Sequence, residues 1–203
     1  MLQQGCCDAL FLPDNSTMYK QEGGLKLDFG LLDKVLEGEF RPGHFSGVAL
    51  VVSKFFNIIQ PDRAYFGQKD FQQFKIISRL VEELKFNIEL PFIPTLREPD
   101  GLAMSSRNLR LNPEERIKAL VFFRSLQLAR EELQKGILLK EVKNKVNLMV
   151  ESIASVRLEY FEVANAENLT VLDSVNNSAN CIMLIAGFVG EVRLIDNMFV
   201  DEN

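Results

Sequence analysis

The chain has 203 residues, 47% apolar and 25% charged, ordinary globular usage that excludes a disordered, collagenous or disulfide-stapled protein. Its 23 basic residues against 28 acidic ones leave a net charge of −5 and a pI of about 5.1, the wrong sign for a surface that holds nucleic acid throughout. No apolar run approaches the roughly 18 residues of a membrane span, no export signal opens the chain, and three cysteines, two of them adjacent at Cys6 and Cys7, fit a reducing, cytoplasmic setting.

Taken in chain order, the apolar run at residues 9–12, closed by Pro13, Asp14 and Asn15, predicts a buried strand and a turn. Gly23 and Gly24 predict a loop, residues 31–36 a short helical stretch, and Arg41-Pro42-Gly43-His44 a break. Apolar residues at Val48, Val51, Val52, Phe55, Phe56 and Ile59 predict a helix over 45–60, buried on a broad face and ended by Pro61. A strand over 63–66, a tight turn at Gly67, a helix over 71–85 and a strand over 88–95 then follow. Parallel strands need such a crossover helix, so this portion reads as α/β, with ligands expected at the carboxyl ends of its strands. Asn112-Pro113-Glu114-Glu115 is a helix start, with a capping residue, a proline at the first helical position and acids in the first turn. That helix should run to about Lys135 and stop at Gly136, with another over 139–155. Strands are expected over 158–164, 181–187 and 192–197. Two helices and a mostly antiparallel sheet describe a second, α+β unit, which divides the chain into 1–94 and 95–203.

Three constellations can carry chemistry. Gly67-Gln68-Lys69-Asp70 lies where a strand turns into a helix, where N–H groups and the positive helix end collect. There Lys69 can meet phosphate and Asp70 ribose hydroxyls; alternatively Asp70 only caps its helix and Lys69 is solvated. The loop over 100–108 carries Met104, Ser105, Ser106 and Arg107, two hydroxyls and a guanidinium suited to a polyphosphate, or else an ordinary connection whose serines supply turn bonds. His44, the only histidine, either orients a phosphate, moves a proton or serves as a structural donor. Gln72 and Gln73 point about 100° apart on their helix, so only one can face the phosphate side, and periodicity does not choose. With one histidine and no paired cysteine spacing, no metal site made of side chains is expected.

These segments, together with Asn57 to Pro61, Arg97, and Arg193-Leu194-Ile195-Asp196-Asn197, resemble the pantothenate synthetase family in order and over nearly the whole chain. The resemblance implies a partial Rossmann-like domain of the nucleotidyl-transferase type, followed by a small α+β lid. It implies ATP-dependent condensation of pantoate with β-alanine through a pantoyl adenylate, with Mg²⁺ carried on the phosphates, in a cytoplasmic homodimer that binds neither nucleic acid nor membrane. Lys69, Ser105, Ser106 and Arg107 become the catalytic residues. Gly67, Gln68, Lys69 and Asp70 hold ribose and phosphates, backbone groups at Leu96 meet adenine, and the loop from Met104 to Arg107 covers the phosphates. Gln73 binds pantoate, and Arg41 and His44 give support. Gln68 stands where the family usually has Glu. The family's histidine-x-glycine-histidine motif, with the strands around it, has no counterpart here, so low activity of this chain alone is expected. The alternative is a non-catalytic nucleotide-binding or dimerising fragment.

Overall fold

The computed structural model describes residues 7–19, 24–175 and 180–201. The first part contains single helical turns α1 (Asn15–Met18) and α2 (Glu37–Phe40), with a 3-10 turn at Gly30–Asp33 between them, and the longer helices α3 (His44–Ile59) and α4 (Phe71–Leu84). Strands β1 (Phe66–Gly67) and β2 (Phe92–Ile93) pair in parallel across α4, which is the expected strand–helix–strand unit. Both strands are much shorter than their apolar runs. Pro91 and Pro94 flank β2 and supply no N–H, so the ladder stops, apart from a single bridge between Arg63 and Glu89.

Residues 9–12 form no strand. Leu10, Phe11 and Leu12 are 59%, 46% and 78% exposed, because no described strand lies alongside to take their backbone groups. Phe11 instead meets Phe55 of α3 edge-on at 6.1 Å. The predicted loop at Gly23 lies outside the described residues, and the stretch over 31–36 is a 3-10 turn followed by a strained residue rather than an α-helix. Gly67 is not the tight turn expected. It is extended (φ −85°, ψ 141°), and the chain reverses in the 3-10 turn Gln68–Asp70 that follows. Helix α3 matches its apolar spacing but is covered on only part of its face. Phe45, Ala49 and Phe56 pack with Ile76, Ile77 and Leu80 of α4, while Ile58 and Ile59 remain exposed.

The helix start at Asn112 is a complete capping box. Asn112 Oδ1 accepts from the Glu115 N–H at 2.9 Å, and the Glu115 carboxylate accepts from the Asn112 N–H at 3.0 Å. Soon afterwards α5 (Pro113–Lys118) breaks at Ala119 and resumes as α6 (Leu120–Gln134), so the single predicted helix is two. Gly136, at φ 80°, ends α6, and α7 (Leu139–Glu151) follows. The three expected strands appear as β3 (Val156–Asn165), β4 (Cys181–Val189) and β5 (Val192–Phe199), antiparallel in the order β3-β4-β5.

Strand β4 is central and apolar on both faces, and its alternation explains why. Cys181, Met183 and Ile185 pack with α6 and α7, whereas Ile182 and Leu184 pack with Leu36 and with Phe71 of α4. One face of the sheet therefore holds its own helices, and the other holds the N-terminal part. Every odd-numbered residue of β5 from Arg193 to Asn197 faces that second side, where the candidate residues lie.

Candidate active site

Lys69 stands at the centre of the arrangement. It lines one cavity with Arg41, His44, Asp70 and Gln73, and an adjoining one with Ser105, Arg107 and Asn108; Ile195 and Asp196 of β5 form the wall common to both. Asp70 occupies the N-cap position of α4, yet its carboxylate makes no capping hydrogen bond, which leaves it available to the cavity. Ser105 shapes its own loop, its Oγ accepting from the Arg107 N–H at 3.2 Å. Asn108 closes the loop by donating to the Ala103 carbonyl at 3.0 Å.

Other residues singled out in the sequence lie elsewhere. Gly67 is at the exposed end of β1, and Gln68 is buried and lines neither cavity, its carbonyl accepting from Asn197 Nδ2. Leu96, Met104 and Ser106 are exposed and line neither cavity; the Leu96 carbonyl accepts from the Met104 N–H at 2.9 Å, which closes the loop between them. A larger groove of about 700 Å³ runs between α7, the outer side of β3 and Phe40, and it contains none of these residues. Polar groups converge around Lys69 and not in the larger groove.

The glutamines separate cleanly. Gln72 is 2% exposed, and its amide is spent on the chain over 32–37: Nε2 donates to the carbonyls of Leu32 and Val35, both at 2.8 Å, and Oε1 accepts from the Glu37 N–H at 3.0 Å. The last two bonds grip the peptide groups on either side of Leu36, whose φ of 53° and ψ of −126° are strained for a residue with a β-carbon. Gln73, one position on, lines the same cavity as Gln72 but is not tied to the segment over 32–37.

Glu37, thus held, is the centre of a buried charge network that sequence reasoning missed. Arg193 clasps its carboxylate with two bonds, Nη1 to Oε2 at 2.9 Å and Nη2 to Oε1 at 2.7 Å, and Tyr160 donates to Oε1 at 2.9 Å. Arg193 also binds Glu159 through Nε at 2.9 Å. Neighbours on a regular strand point to opposite faces, yet Glu159 and Tyr160 serve one network because β3 carries a bulge between Leu158 and Tyr160. Burial works to raise the Glu37 carboxyl, but the Arg193 bonds outweigh it and hold the acid below its ordinary value. The Arg193 carbonyl accepts from Arg107 Nη1 at 3.2 Å, which connects this network to the candidate phosphate loop. Burial and the charge on Arg41 depress His44, so its imidazole is neutral at pH 7. Nothing in the local sequence marks Glu37, Glu159 or Tyr160; Arg97, Arg193, Asp196 and Asn197 lie within the motifs that carry the resemblance, but spacing assigns them no role.

Among the described residues no cluster of three or more His, Cys, Asp or Glu side chains could hold a metal ion, and no helix is long and apolar enough to cross a membrane.

Comparison with known proteins bears on the family and the fold. The family model for pantoate-beta-alanine ligase matches residues 1–199. The pantothenate synthetase of Cytophaga hutchinsonii is 40% identical over 201 residues, covering 98% of this chain and 71% of its own. That of Aquifex aeolicus is 44% identical over 192 residues, covering 94% and 67%. Among solved structures, pantothenate synthetase from Thermus thermophilus superposes with a TM-score of 0.91 at 39% identity, over 99% of this chain and 72% of that one. The ligase from Francisella tularensis, in complex with beta-gamma ATP and beta-alanine, gives a TM-score of 0.78 at 30% identity over 100% and 68%. With a family model spanning nearly its whole length and relatives this similar, the chain belongs to the pantoate-beta-alanine ligase family.

Proposed function

We propose that the paired cavities around Lys69 carry out the ATP-dependent condensation of pantoate with β-alanine. A carboxylate oxygen of pantoate attacks the α-phosphorus of ATP, and the bond to the bridging oxygen breaks to release pyrophosphate. The β-alanine amine then attacks the acyl carbon of the pantoyl adenylate, the bond to AMP oxygen breaks, and the amine proton passes to solvent. The position of Lys69 carries this reading. It lies between Gln73, a pantoate amide partner, and Ser105 and Arg107, donors for phosphate, so one cation sits where the two substrates must meet. Donors fixed in advance at the place where charge develops are the main source of acceleration in such a transfer.

In this assignment Lys69, Ser105 and Arg107 stabilise the phosphates, joined by Ser106 from the exposed side of the same loop. Asp70 borders the ribose with Gly67 and Gln68 beside it, backbone groups at Leu96, outside the two cavities, meet adenine, Met104 belongs to the loop that covers the phosphates, and Arg41 and His44 give support and orientation. Magnesium carried on the nucleotide would supply neutralisation of phosphate charge, with no cluster of three or more His, Cys, Asp or Glu among the described residues to hold it separately. The units 1–94 and 95–203 act as base and lid, in a cytoplasmic homodimer.

The test is pantoate-dependent release of pyrophosphate from ATP by the purified chain, followed by β-alanine-dependent release of AMP. A small release, in keeping with the low activity expected of this chain alone, that is abolished by Lys69→Ala is the expected result. Release indistinguishable between the parent and Lys69→Ala would refute the assignment.

A further inference from the structure

Two consecutive residues near the end of the chain reach both loops that carry the phosphate-directed side chains. Asn197 Nδ2 donates to the carbonyls of Gln68 and Lys69, each at 2.9 Å. Carbonyls only accept, so the amide orientation is fixed by chemistry, and Oδ1 is left buried with no partner among the described residues. Asp196 takes a bidentate pair from Arg97, Nη1 at 2.7 Å and Nη2 at 3.0 Å, and its Oδ1 also accepts from the Asn197 N–H at 2.8 Å. Arg97 in turn binds the Gly101 carbonyl at 3.0 Å and stacks 4.6 Å over the Phe123 ring. It thereby closes the base of the loop that presents Ser105 and Arg107.

We propose that Asn197 and the Arg97–Asp196 pair are positioning residues for the ligase reaction, a clamp on β5 that sets the distance between Lys69 and the Ser105–Arg107 loop. This rests on the reading that those side chains hold the ATP phosphates. Asn197 bonds the main chain of Lys69 itself rather than any part of the apolar core. Its loss therefore moves the lysine before it moves the fold. A displacement of about 1 Å in such a group can cost about 10²-fold in rate.

The test is a double-mutant cycle on the full chain, with ATP affinity read by calorimetry, turnover by AMP release, and thermal midpoint in parallel. Asn197→Ala should weaken turnover about 10- to 100-fold, and Asn197→Asp, which sets a carboxylate against two carbonyls, should do worse. Because Asn197 acts through Lys69, the combination with Lys69→Ala should lose no more than Lys69→Ala alone. Asp196→Asn should show the same non-additivity with Arg107→Ala. Effects that multiply, or variants altered only in midpoint, would overturn the clamp. If Asn197→Ala does not fold, Asn197→Ser and the Asp196 cycle decide by the same criteria. A parent chain that binds no ATP refutes the phosphate reading, and the clamp with it; a parent that binds ATP while the Asn197 variants keep full affinity and turnover refutes the clamp alone.

Discussion

Replacing Gln72 with alanine should damage the fold, while the same change at Gln73 should damage only the binding of pantoate. Gln72 makes three buried hydrogen bonds to the segment over 32–37. At about 1 kcal/mol each these amount to about 3 kcal/mol, and orphaning the Glu37 N–H and the Leu32 carbonyl raises the cost further, while the Val35 carbonyl keeps its bond from the Gly38 N–H at 2.9 Å. A relaxation works the other way. Once the peptides flanking Leu36 are released, that residue can leave its strained conformation and recover about 1 to 3 kcal/mol. The net loss is about 2 to 4 kcal/mol, a large fraction of the roughly 5 to 15 kcal/mol that holds a domain together, and it corresponds to a fall in Tm of about 4 to 16 °C for a chain of this size. The relaxation also swings Glu37 away from Arg193. Urea unfolding followed by circular dichroism measures the first effect, and pantoate calorimetry on both variants separates them. Gln73→Ala should keep its midpoint within about 0.5 kcal/mol of the parent and lose pantoate affinity. If Gln72→Ala unfolds at the parent's urea concentration, the stapling of Leu36 is wrong.

Further outcomes follow from the same structure. Lys69→Ala and Arg107→Ala should each reduce turnover about 10²- to 10³-fold with much less effect on pantoate affinity, measured as kcat against KM; equal losses in both would point to a binding role. Arg193→Ala leaves Glu37 and Glu159 buried without their cation and should cost about 3 to 5 kcal/mol in urea unfolding. Since Glu37 is held below its ordinary value of 4.5, the stability it contributes is present above that value and is lost as the pH falls through its lower, folded-state value. Unfolding midpoints of the parent between pH 3 and 7 should therefore fall on the acid side more steeply than those of Glu37→Gln, and parallel curves would exclude the linkage. Asn112→Ala removes one half of the capping box and should cost about 1 kcal/mol, with turnover unchanged. Gly101→Ala, at φ 98° and with a new β-carbon 2.2 Å from the Phe123 ring, should lower Tm and loosen the loop that carries Ser105.

What the sequence made legible was local. The helix over 45–60, the capping box at Asn112 and the three late strands each follow from spacing that a short window contains. The failures were matters of partnership. Residues 9–12 have the composition of a strand but no described neighbour, and the runs around Phe66 and Phe92 pair over two residues because prolines interrupt the ladder. The site divides along the same line. Lys69, Asp70, Ser105 and Arg107 stand out by residue type at a strand end or in a polar loop, and Gln72 and Gln73 are told apart by the resemblance but not by periodicity, for which the strained Leu36 beside Gln72 supplies a physical reason. Glu37 and Tyr160 could not be named at all. Their bond spans 123 positions and depends on a bulge in β3, which no periodicity announces.

Strand β5 also gives the molecule an order of assembly. The bonds it makes to earlier parts of the chain span 99 positions from Asp196 to Arg97, 129 from Asn197 to Gln68 and 156 from Arg193 to Glu37. Closing loops of that length is entropically costly before the contacts reward it, and such contacts form late. A chain still being synthesised therefore carries Lys69, Ser105 and Arg107 before it has the strand proposed to set their spacing. A product that lacks β5 would have the parts of the proposed site without the clamp proposed to join them.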